Sequence, residues 1–276
     1  MRLWSAEGVL LGSGGAGPSG LSLGVAAAWG AVDAAVAEAF DLADLQPDPG
    51  ATLLTLGLAG ANVAAQAEAF VGSPSAAGWG WVVLIGDGEA ALLGAHRGEP
   101  GVLLAAGTGS VAEAWRADGS WGTSGGWGFP VGDEGSGAWL GLHAMANAQH
   151  ALDGRAPAGA LAQAVWREVG NTPAALLAFC AGANQSSYAR LAPLVFDHAD
   201  SDWVATALLD EAAAALEAHL PALDPSGALP LALAGSIALC LQPRLSDATR
   251  ARCVVPVGDA VDGARHLLLA ALTDIA

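Results

Sequence analysis

Apolar residues recur at two spacings along this chain, and the two spacings predict its helices and strands. Val25, Trp29 and Val32 open a series at three- and four-residue intervals, which predicts a helix from about Ser22 to Phe40. Short apolar runs that end in glycine predict buried strands. The expected strands are Ala51–Gly60, Trp81–Ile85, Val102–Ala106, Leu229–Leu233 and Cys253–Val257, and the further expected helices are Asn62–Phe70, Glu89–His96, Ser136–His150, 158–170, 173–180, Asp202–Leu220 and Asp259–Leu272.

Two hairpins are expected within this order of elements. Arg2–Trp4 and Gly8–Ser13 form the first, and the second follows Ser110 with its turn at Ala117–Ser120. Elsewhere strands alternate with helices, which is typical of α/β proteins and predicts mostly parallel sheets. A chain of 276 residues is long enough for one large domain or for two modest domains with their own cores, and we expect two.

The charge of the chain restricts how it can hold a phosphate group. Its formal net charge is -17, and its ten basic residues other than histidine are all arginines. Such a chain repels a phosphate backbone, so nucleic-acid binding is not expected. A phosphate loop of the Walker type is impossible because it needs a lysine. Any bound phosphate must therefore be held by backbone N–H groups, by a metal ion or by an arginine.

The sequence shows neither the pattern of a membrane span nor that of a metal-binding motif. Its apolar runs stay below the roughly 20 residues that cross a bilayer, and the stretch after Arg2 lacks the apolar core of a signal peptide. We therefore expect a cytoplasmic protein.

Cys180, Cys240 and Cys253 are too far apart for a zinc or redox motif and are expected to be buried. The six histidines show no paired spacing.

The glycine-rich stretch Gly122–Gly141 is the part of the chain most suited to bind a ligand. Its glycines recur too often for a helix or a flat strand, so the backbone must turn tightly or approach something closely. Trp127 can cover the apolar face of a sugar, while Asp133 and Glu134 can accept hydrogen bonds from its hydroxyl groups. A surface loop without a ligand is the alternative interpretation.

Three further sites place a glycine turn directly after an apolar strand. They are Gly86-Asp87, Gly107 to Ser110, and Gly235-Ser236. Open sheets bind their ligands at the carboxyl ends of strands, so an acid such as Asp87 is expected at a site of chemistry. Three such turns facing one cleft would form a ligand site between two domains.

The motifs in these turns resemble those of a known family. The sequences G-T-G-S at 107–110, G-G-W-G-F-P-V-G-D-E-G-S-G at 125–137 and G-P-S-G-L at 17–21 are similar to those of the N-acetylglucosamine kinase and BadF-type ATPase family, within the actin-like sugar-kinase superfamily. The likeness extends over nearly the whole chain. It implies a two-domain actin-like (ribonuclease H-like) α/β fold, with residues 1–98 completed by a closing helix at 259–276, and residues 99–258 as the second domain.

The resemblance also implies roles for individual residues. Asp87 matches the general base that takes a proton from the attacking sugar hydroxyl, although the same residue could simply cap the helix after it. The phosphate-binding residues of the family match Gly107, Thr108 and Gly109. The sugar-binding residues match Gly126, Trp127, Gly128 and Asp133, and a turn near the adenosine matches Gly235 and Ser236. Ordinary turns are the alternative for 107–109 and for 235–236, and no protein metal ligands are expected.

The chain departs from the family pattern in two places. Members open with a strand and a D-G-G-G-T-K-T-like phosphate loop, which would lie just ahead of Met1 and form the central strand of the first sheet. Either the reading frame continues upstream or the sheet is re-paired and the activity is weak or lost. An in-frame loop sequence upstream would support the first explanation, and a stop codon directly before Met1 would exclude it. The second departure is Gly20, where relatives carry an asparagine that contacts the sugar.

Three functions are consistent with these features. The first is an ATP-dependent kinase of N-acetylglucosamine, glucosamine or a related hexosamine, which uses ATP and Mg2+ and forms a homodimer, as the resemblance implies. The second is an ATPase that activates 2-hydroxyacyl-CoA dehydratases, whose iron–sulfur cluster would make a preparation brown and oxygen-sensitive. The third is a non-catalytic sugar-binding protein, for which calorimetry would detect hexosamine binding without ATP binding.

Overall fold

The computed structural model describes residues 1–275 and divides them into two compact units. One unit comprises Met1–Glu99 together with the segment from Pro256 onward, and the other comprises Pro100–Val255. Each unit has its own apolar core, as independently packed domains do.

The first unit is built around a long helix that packs on a short one. Trp29 and Phe70 stack with their ring centroids 4.5 Å apart, and the Trp29 indole N–H donates to the Phe70 carbonyl at 3.2 Å. Val32, Val36 and Phe40 are buried on the same face of the long helix, which explains the helical spacing of apolar residues in the sequence. The elements up to residue 99 are β1 (Arg2–Trp4), β2 (Leu10–Ser13), α1 (Val25–Leu42), β3 (Leu53–Gly57), α2 (Ala64–Val71), α3 (Pro74–Ala77), β4 (Trp81–Ile85) and α4 (Asp87–His96).

The strands of the first unit form two separate two-stranded sheets. β1 pairs with β2 as an antiparallel hairpin, and β3 pairs with β4 in parallel. The Met1 amino group donates to the Gly14 carbonyl at 2.7 Å, which extends the hairpin by one more pair. No pairing joins the two sheets within residues 1–275, so the re-paired sheet considered from the sequence is not found there. An upstream strand stays a prediction.

The second unit contains a five-stranded sheet covered by helices. Its strand order is β7-β6-β5-β8-β9, so the sheet is completed by strands far apart in the sequence. Its core includes Leu104 and Leu231 on neighbouring strands, both fully buried. The elements are β5 (Gly101–Ala106), β6 (Ser110–Trp115), β7 (Trp121–Gly125), α5 (Gly137–Leu152), α6 (Ala160–Val169), α7 (Pro173–Gly182), α8 (Gln185–Ala189), α9 (Ala192–Asp197), α10 (Trp203–Glu217), α11 (Leu220–Leu223), β8 (Leu231–Ala234), α12 (Ser236–Leu241), α13 (Asp247–Arg252) and β9 (Cys253–Val254).

The expectation of mostly parallel sheets is wrong. Among the described residues three strand pairings are antiparallel and three are parallel. The short connections after β1, β5 and β6 leave no room for a crossover helix, so the chain must reverse at each of them.

The last strand and the cysteines also differ from expectation. β9 ends at Val254 instead of Val257, because Pro256 lacks the N–H that a further ladder bond would need. Cys180 and Cys240 are exposed and Cys253 is partly buried, so they are not the buried residues that the sequence suggested. All three are free thiols.

The closing helix α14 (Ala260–Ile275) belongs to the first unit and crosses α4 at very short range. A Cβ atom built on Gly94 would lie 1.9 Å from the Asp259 carbonyl oxygen, and one on Gly263 would lie 1.9 Å from the Ala90 carbonyl oxygen. Only glycine permits this approach. Within the part of the chain that the structure describes, no helix has the length and apolar character needed to span a bilayer.

Candidate active site

The carboxyl ends of β5 and β8 bring two predicted turns into contact in the second unit. The strands run in parallel with Ala105 opposite Ala234, so the turns that follow them emerge side by side. A Cβ atom on Gly235 would lie 2.3 Å from the Ala106 carbonyl oxygen and 3.2 Å from the Gly107 nitrogen. The sequence therefore predicted correctly that these turns follow strands, and the sheet order makes them neighbours.

The turn at residues 107–109 is anchored to the start of α5. The Gly107 N–H donates to the Gly109 carbonyl at 2.9 Å, which closes the turn. The Gly137 and Ala138 N–H groups donate back to the carbonyls of Gly107 and Thr108 at 2.8 and 3.1 Å. Thr108 itself is exposed, as a residue that contacts a ligand would be.

The glycine-rich loop after β7 lies at the same edge of the sheet as these turns. Gly125, Gly126 and Gly128 all have positive φ angles, a conformation that glycine adopts at little cost. The Gly132 N–H donates to the Gly128 carbonyl at 2.7 Å and closes a tight turn around the loop tip. The Trp127 side chain at this tip is 85% exposed, so its indole is accessible to a ligand.

Asp133 lies beneath the loop tip. It is only 4% exposed, and its φ of 64° is in the left-handed region. Its Oδ1 accepts from the Ser110 N–H at 3.2 Å, and its Oδ2 accepts from the Gln185 side-chain amide at 2.7 Å. The carboxylate therefore ties the glycine loop to β6 and to α8.

Ser110 joins the two loops a second time. Its hydroxyl donates to the Glu134 carbonyl at 2.7 Å, and its own carbonyl accepts from the Gly126 N–H at 3.2 Å. Ser136 then caps α5, with its Oγ accepting from the Trp139 N–H at 3.2 Å. The predicted positions at 107–109, 126–128, 133 and 235–236 thus share one edge of one sheet.

A histidine that the sequence did not suggest supports the base of the glycine loop. His219 Nδ1 and the Ser124 hydroxyl form a hydrogen bond of 2.9 Å, and the ring lies so close to Gly125 that a Cβ there would be 2.9 Å from Cε1. Its Nε2 is buried, with no hydrogen-bond partner among the described residues. Burial lowers the pKa of His219, and the negative charge of Glu134 partly offsets this shift.

Asp87 lies at the corresponding strand end of the first unit. β4 ends at Ile85, Gly86 is the N-cap of α4, and Asp87 is the exposed first residue of that helix. No side chain caps this helix, so the alternative role of Asp87 as a cap is not supported. Nearby, burial raises the pKa of Glu89, and a hydrogen bond from the Gly86 backbone partly offsets this.

The loop after β3 lies beside the turn that precedes Asp87, and a second loop is attached to it. Asn62 belongs to the loop after β3, and its Oδ1 would lie 2.8 Å from a Cβ atom built on Gly86. The Leu21 N–H donates to the Ala59 carbonyl at 2.9 Å, which attaches the loop containing Gly20 to the loop after β3. Asn62 is not among the site residues predicted from sequence, although a polar residue just beyond a strand end is a usable signal.

No metal centre is present within the described residues. No group of three or more histidine, cysteine, aspartate or glutamate side chains among them is arranged to hold an ion.

Comparison with known proteins gives the class of this protein. Residues 1–250 match the model of the BadF/BadG/BcrA/BcrD ATPase family. The chain belongs to that family, as its motifs predicted.

Individual relatives add detail. The chain is 33% identical over 265 residues to the glucosamine kinase GspK of Vibrio cholerae, covering 95% of this chain and 89% of the relative. It is 37% identical over 76 residues, 28% of this chain and 25% of the relative, to an N-acetylmuramic acid/N-acetylglucosamine kinase of Clostridium acetobutylicum. The crystal structure of a candidate N-acetylglucosamine kinase from Chromobacterium violaceum matches with a TM-score of 0.89 and 42% identity, covering 97% of this chain and 93% of that one. The predicted α/β actin-like fold is confirmed.

Proposed function

We propose that this chain is an ATP-dependent kinase that phosphorylates an amino sugar such as glucosamine or N-acetylglucosamine. The observation that carries this proposal is the single edge of the second unit where the turns after β5 and β8 meet a glycine loop with an exposed indole. The glucosamine kinase of Vibrio cholerae, similar over 95% of this chain, supports the choice of substrate class.

The nucleotide phosphates are assigned to the turn at residues 107–109. Its backbone is held by α5, and Thr108 offers an exposed hydroxyl, so the turn can present donors without the lysine that this chain lacks. Gly235 and Ser236 are assigned to the adenosine side. Both are exposed, and Gly235 lies so near the backbone of residues 106 and 107 that a Cβ atom would not fit there.

The sugar is assigned to the glycine loop. The exposed face of Trp127 can cover the apolar side of a pyranose ring, and Gly126 and Gly128 let the backbone approach it. Asp133 is assigned to the same site. A carboxylate can accept about four hydrogen bonds, and only two to Asp133 are described, so it has capacity to accept from a sugar hydroxyl.

Asp87 is assigned the role of general base. The sugar hydroxyl must lose a proton as it attacks the terminal phosphorus, and a single carboxylate can orient the hydroxyl and accept that proton. The exposed carboxylate of Asp87 accepts no hydrogen bond among the described residues, so it is free to do so. Mg2+ would arrive with the nucleotide and neutralise phosphate charge, with the phosphates and water as its main ligands.

A coupled assay of ADP release with a panel of hexosamines tests this function. Glucosamine or N-acetylglucosamine should be a substrate, and Asp87→Asn should lose nearly all turnover, at least about 100-fold, while its melting temperature stays unchanged. Asp41→Asn, at an exposed position of α1, is the matched control and should retain full activity. Equal turnover in Asp87→Asn and the wild type would refute the assignment of the base, and no turnover of any hexosamine by the wild type would refute the kinase.

The same protein is proposed to act in the cytoplasm as a homodimer. Its three free thiols suit a reducing compartment, and the family likeness supports a dimer. Light scattering of the purified protein tests the dimer, and a mass of one chain at assay concentration would exclude it.

A further inference from the structure

Gln185 lies between the loop assigned to phosphate and the loop assigned to sugar. Its side-chain amide donates to Asp133 Oδ2 at 2.7 Å, from a position 52 residues away along the chain. The same nitrogen lies against Gly109, where a Cβ atom would come within 3.0 Å of it. One amide group therefore bonds to Asp133 and fills the space beside Gly109.

The helix that carries Gln185 is firmly attached to the rest of the second unit. α8 begins with a capping box formed by Asn184 and Ser187. Its Tyr188 is buried, and the backbone there is so close to α5 that a Cβ on Gly141 would lie 1.8 Å from the Tyr188 carbonyl oxygen. Gln185 thus extends from a fixed element toward Asp133.

Asp133 depends on such a partner because of its own environment. Its backbone is in a left-handed conformation that residues other than glycine seldom adopt, and its side chain is buried. A buried carboxylate is costly unless hydrogen bonds replace the water that it has lost. The amide of Gln185 supplies one of the two bonds described, and the Ser110 N–H supplies the other.

We propose that Gln185 is a positioning residue that fixes the phosphate loop and the sugar loop relative to each other through Asp133. The proposal rests on the kinase function proposed above. Removing the amide should allow Asp133 to turn away and loosen both the Ser110 contact and the glycine loop, so that substrates are held less accurately. The control is Ser186→Ala, because Ser186 is exposed on the same helix and its side chain makes no hydrogen bond among the described residues.

Two substitutions separate positioning from general destabilisation. Gln185→Met keeps the length of the side chain but removes the donor, and we expect kcat/KM to fall about tenfold to a hundredfold, the effect of losing one hydrogen bond to a charged group. Gln185→Glu keeps the shape but places a second carboxylate beside Asp133. Two adjacent carboxyl groups hold a shared proton more tightly than one does. When the pH is lowered from about 7 to about 5, the pair takes up that proton, and the protonated group can donate to Asp133 as the amide does.

The decisive measurement is the ratio of kcat/KM for Gln185→Glu to that for the wild type across this pH range. We expect the ratio to rise as the pH falls, with no such trend for Ser186→Ala. A ratio that does not change with pH, or a Gln185→Met variant as active as Ser186→Ala, would overturn the proposal.

Hydrogen exchange provides a readout that does not need turnover. The Ser110 amide should exchange faster in Gln185→Met than in Ser186→Ala, because its acceptor on Asp133 is no longer held. Equal exchange in the two variants would overturn the positioning role. Absence of phosphorylation by the wild type would instead refute the proposed function, and the exchange comparison would still decide the role of Gln185.

Discussion

The contact between Gly235 and the end of β5 allows a substitution experiment with a closely matched control. Gly235 is the N-cap of α12 with φ 84° and ψ 150°, and Gly24 is the N-cap of α1 with φ 96° and ψ 151°. These backbone conformations are nearly identical and belong to a region used almost only by glycine. Their surroundings differ, because a Cβ on Gly24 would meet nothing within 4 Å, whereas one on Gly235 would lie 2.3 Å from the Ala106 carbonyl oxygen.

The magnitudes follow from this difference. Gly24→Ala should cost only the backbone term, about 1–3 kcal/mol. Gly235→Ala should cost the same term plus about 1–3 kcal/mol for overpacking, because the atoms in the way are backbone atoms that cannot rotate aside. For a protein of this size each kcal/mol lowers the melting temperature by about 2–4 °C. The extra displacement should also reach the Gly107 nitrogen, which lies 3.2 Å from the new Cβ.

Calorimetry and steady-state kinetics of the two variants test this prediction. Gly235→Ala should melt lower than Gly24→Ala and should show a raised KM for ATP, about tenfold if the turn loses one phosphate hydrogen bond of about 1.4 kcal/mol. Gly24→Ala should keep the wild-type KM for ATP. Equal melting temperatures together with equal KM values would refute both the steric argument and the assignment of this turn to the nucleotide.

Two further predictions concern the core and the base of the glycine loop. Gly141→Ala should destabilise the protein by about 1–3 kcal/mol or more, because its Cβ would lie 1.8 Å from the Tyr188 carbonyl oxygen. Gly30→Ala, in an open helical position, should instead stabilise the protein by about 0.5–1 kcal/mol. If the melting temperatures of the two variants shift in the same direction, the steric argument is wrong. Burial lowers the pKa of His219, with a partial offset from Glu134. The folded protein therefore favours the neutral ring, and the contribution of His219 to the free energy of unfolding should be complete above about pH 6.5 and be lost as the pH falls through the folded-state pKa. Denaturant unfolding at pH 5 and pH 7.5 should therefore differ less in His219→Asn than in the wild type, and an equal difference would argue against this role.

The strand ends of the candidate site could be predicted from sequence because the signal is local. An apolar run followed by glycine marks the end of a strand, and this pattern placed the turns at Gly107 and Gly235 correctly. Parallel pairing then makes neighbours of turns that are far apart in sequence, as it does for β5 and β8. Periodicity also located the long helices α1, α5 and α10 to within three residues at each end.

The contacts that hold the loops could not be predicted because they join distant parts of the chain. Gln185 and His219 reach the glycine loop from 52 and 95 positions away, and their neighbours in sequence carry no sign of this. The helix α8 was missed since its five residues are too short to show a period, although Asn184 is a good N-cap residue. Hairpin reversals likewise produced antiparallel pairings where strand–helix alternation had suggested parallel ones.

The loop around Trp127 combines a firmly held base with an exposed apolar tip. Its base is held by the buried Asp133, by the Ser110 contacts and by the closed turn between Gly128 and Gly132. At the tip Trp127 and Val131 are each 85% exposed. Folding therefore forgoes the roughly 1.5–3 kcal/mol that burial of one large apolar side chain contributes. Because the base is already held, a ligand that covered the indole as proposed would need little further ordering of the loop, and most of that energy would remain available for binding.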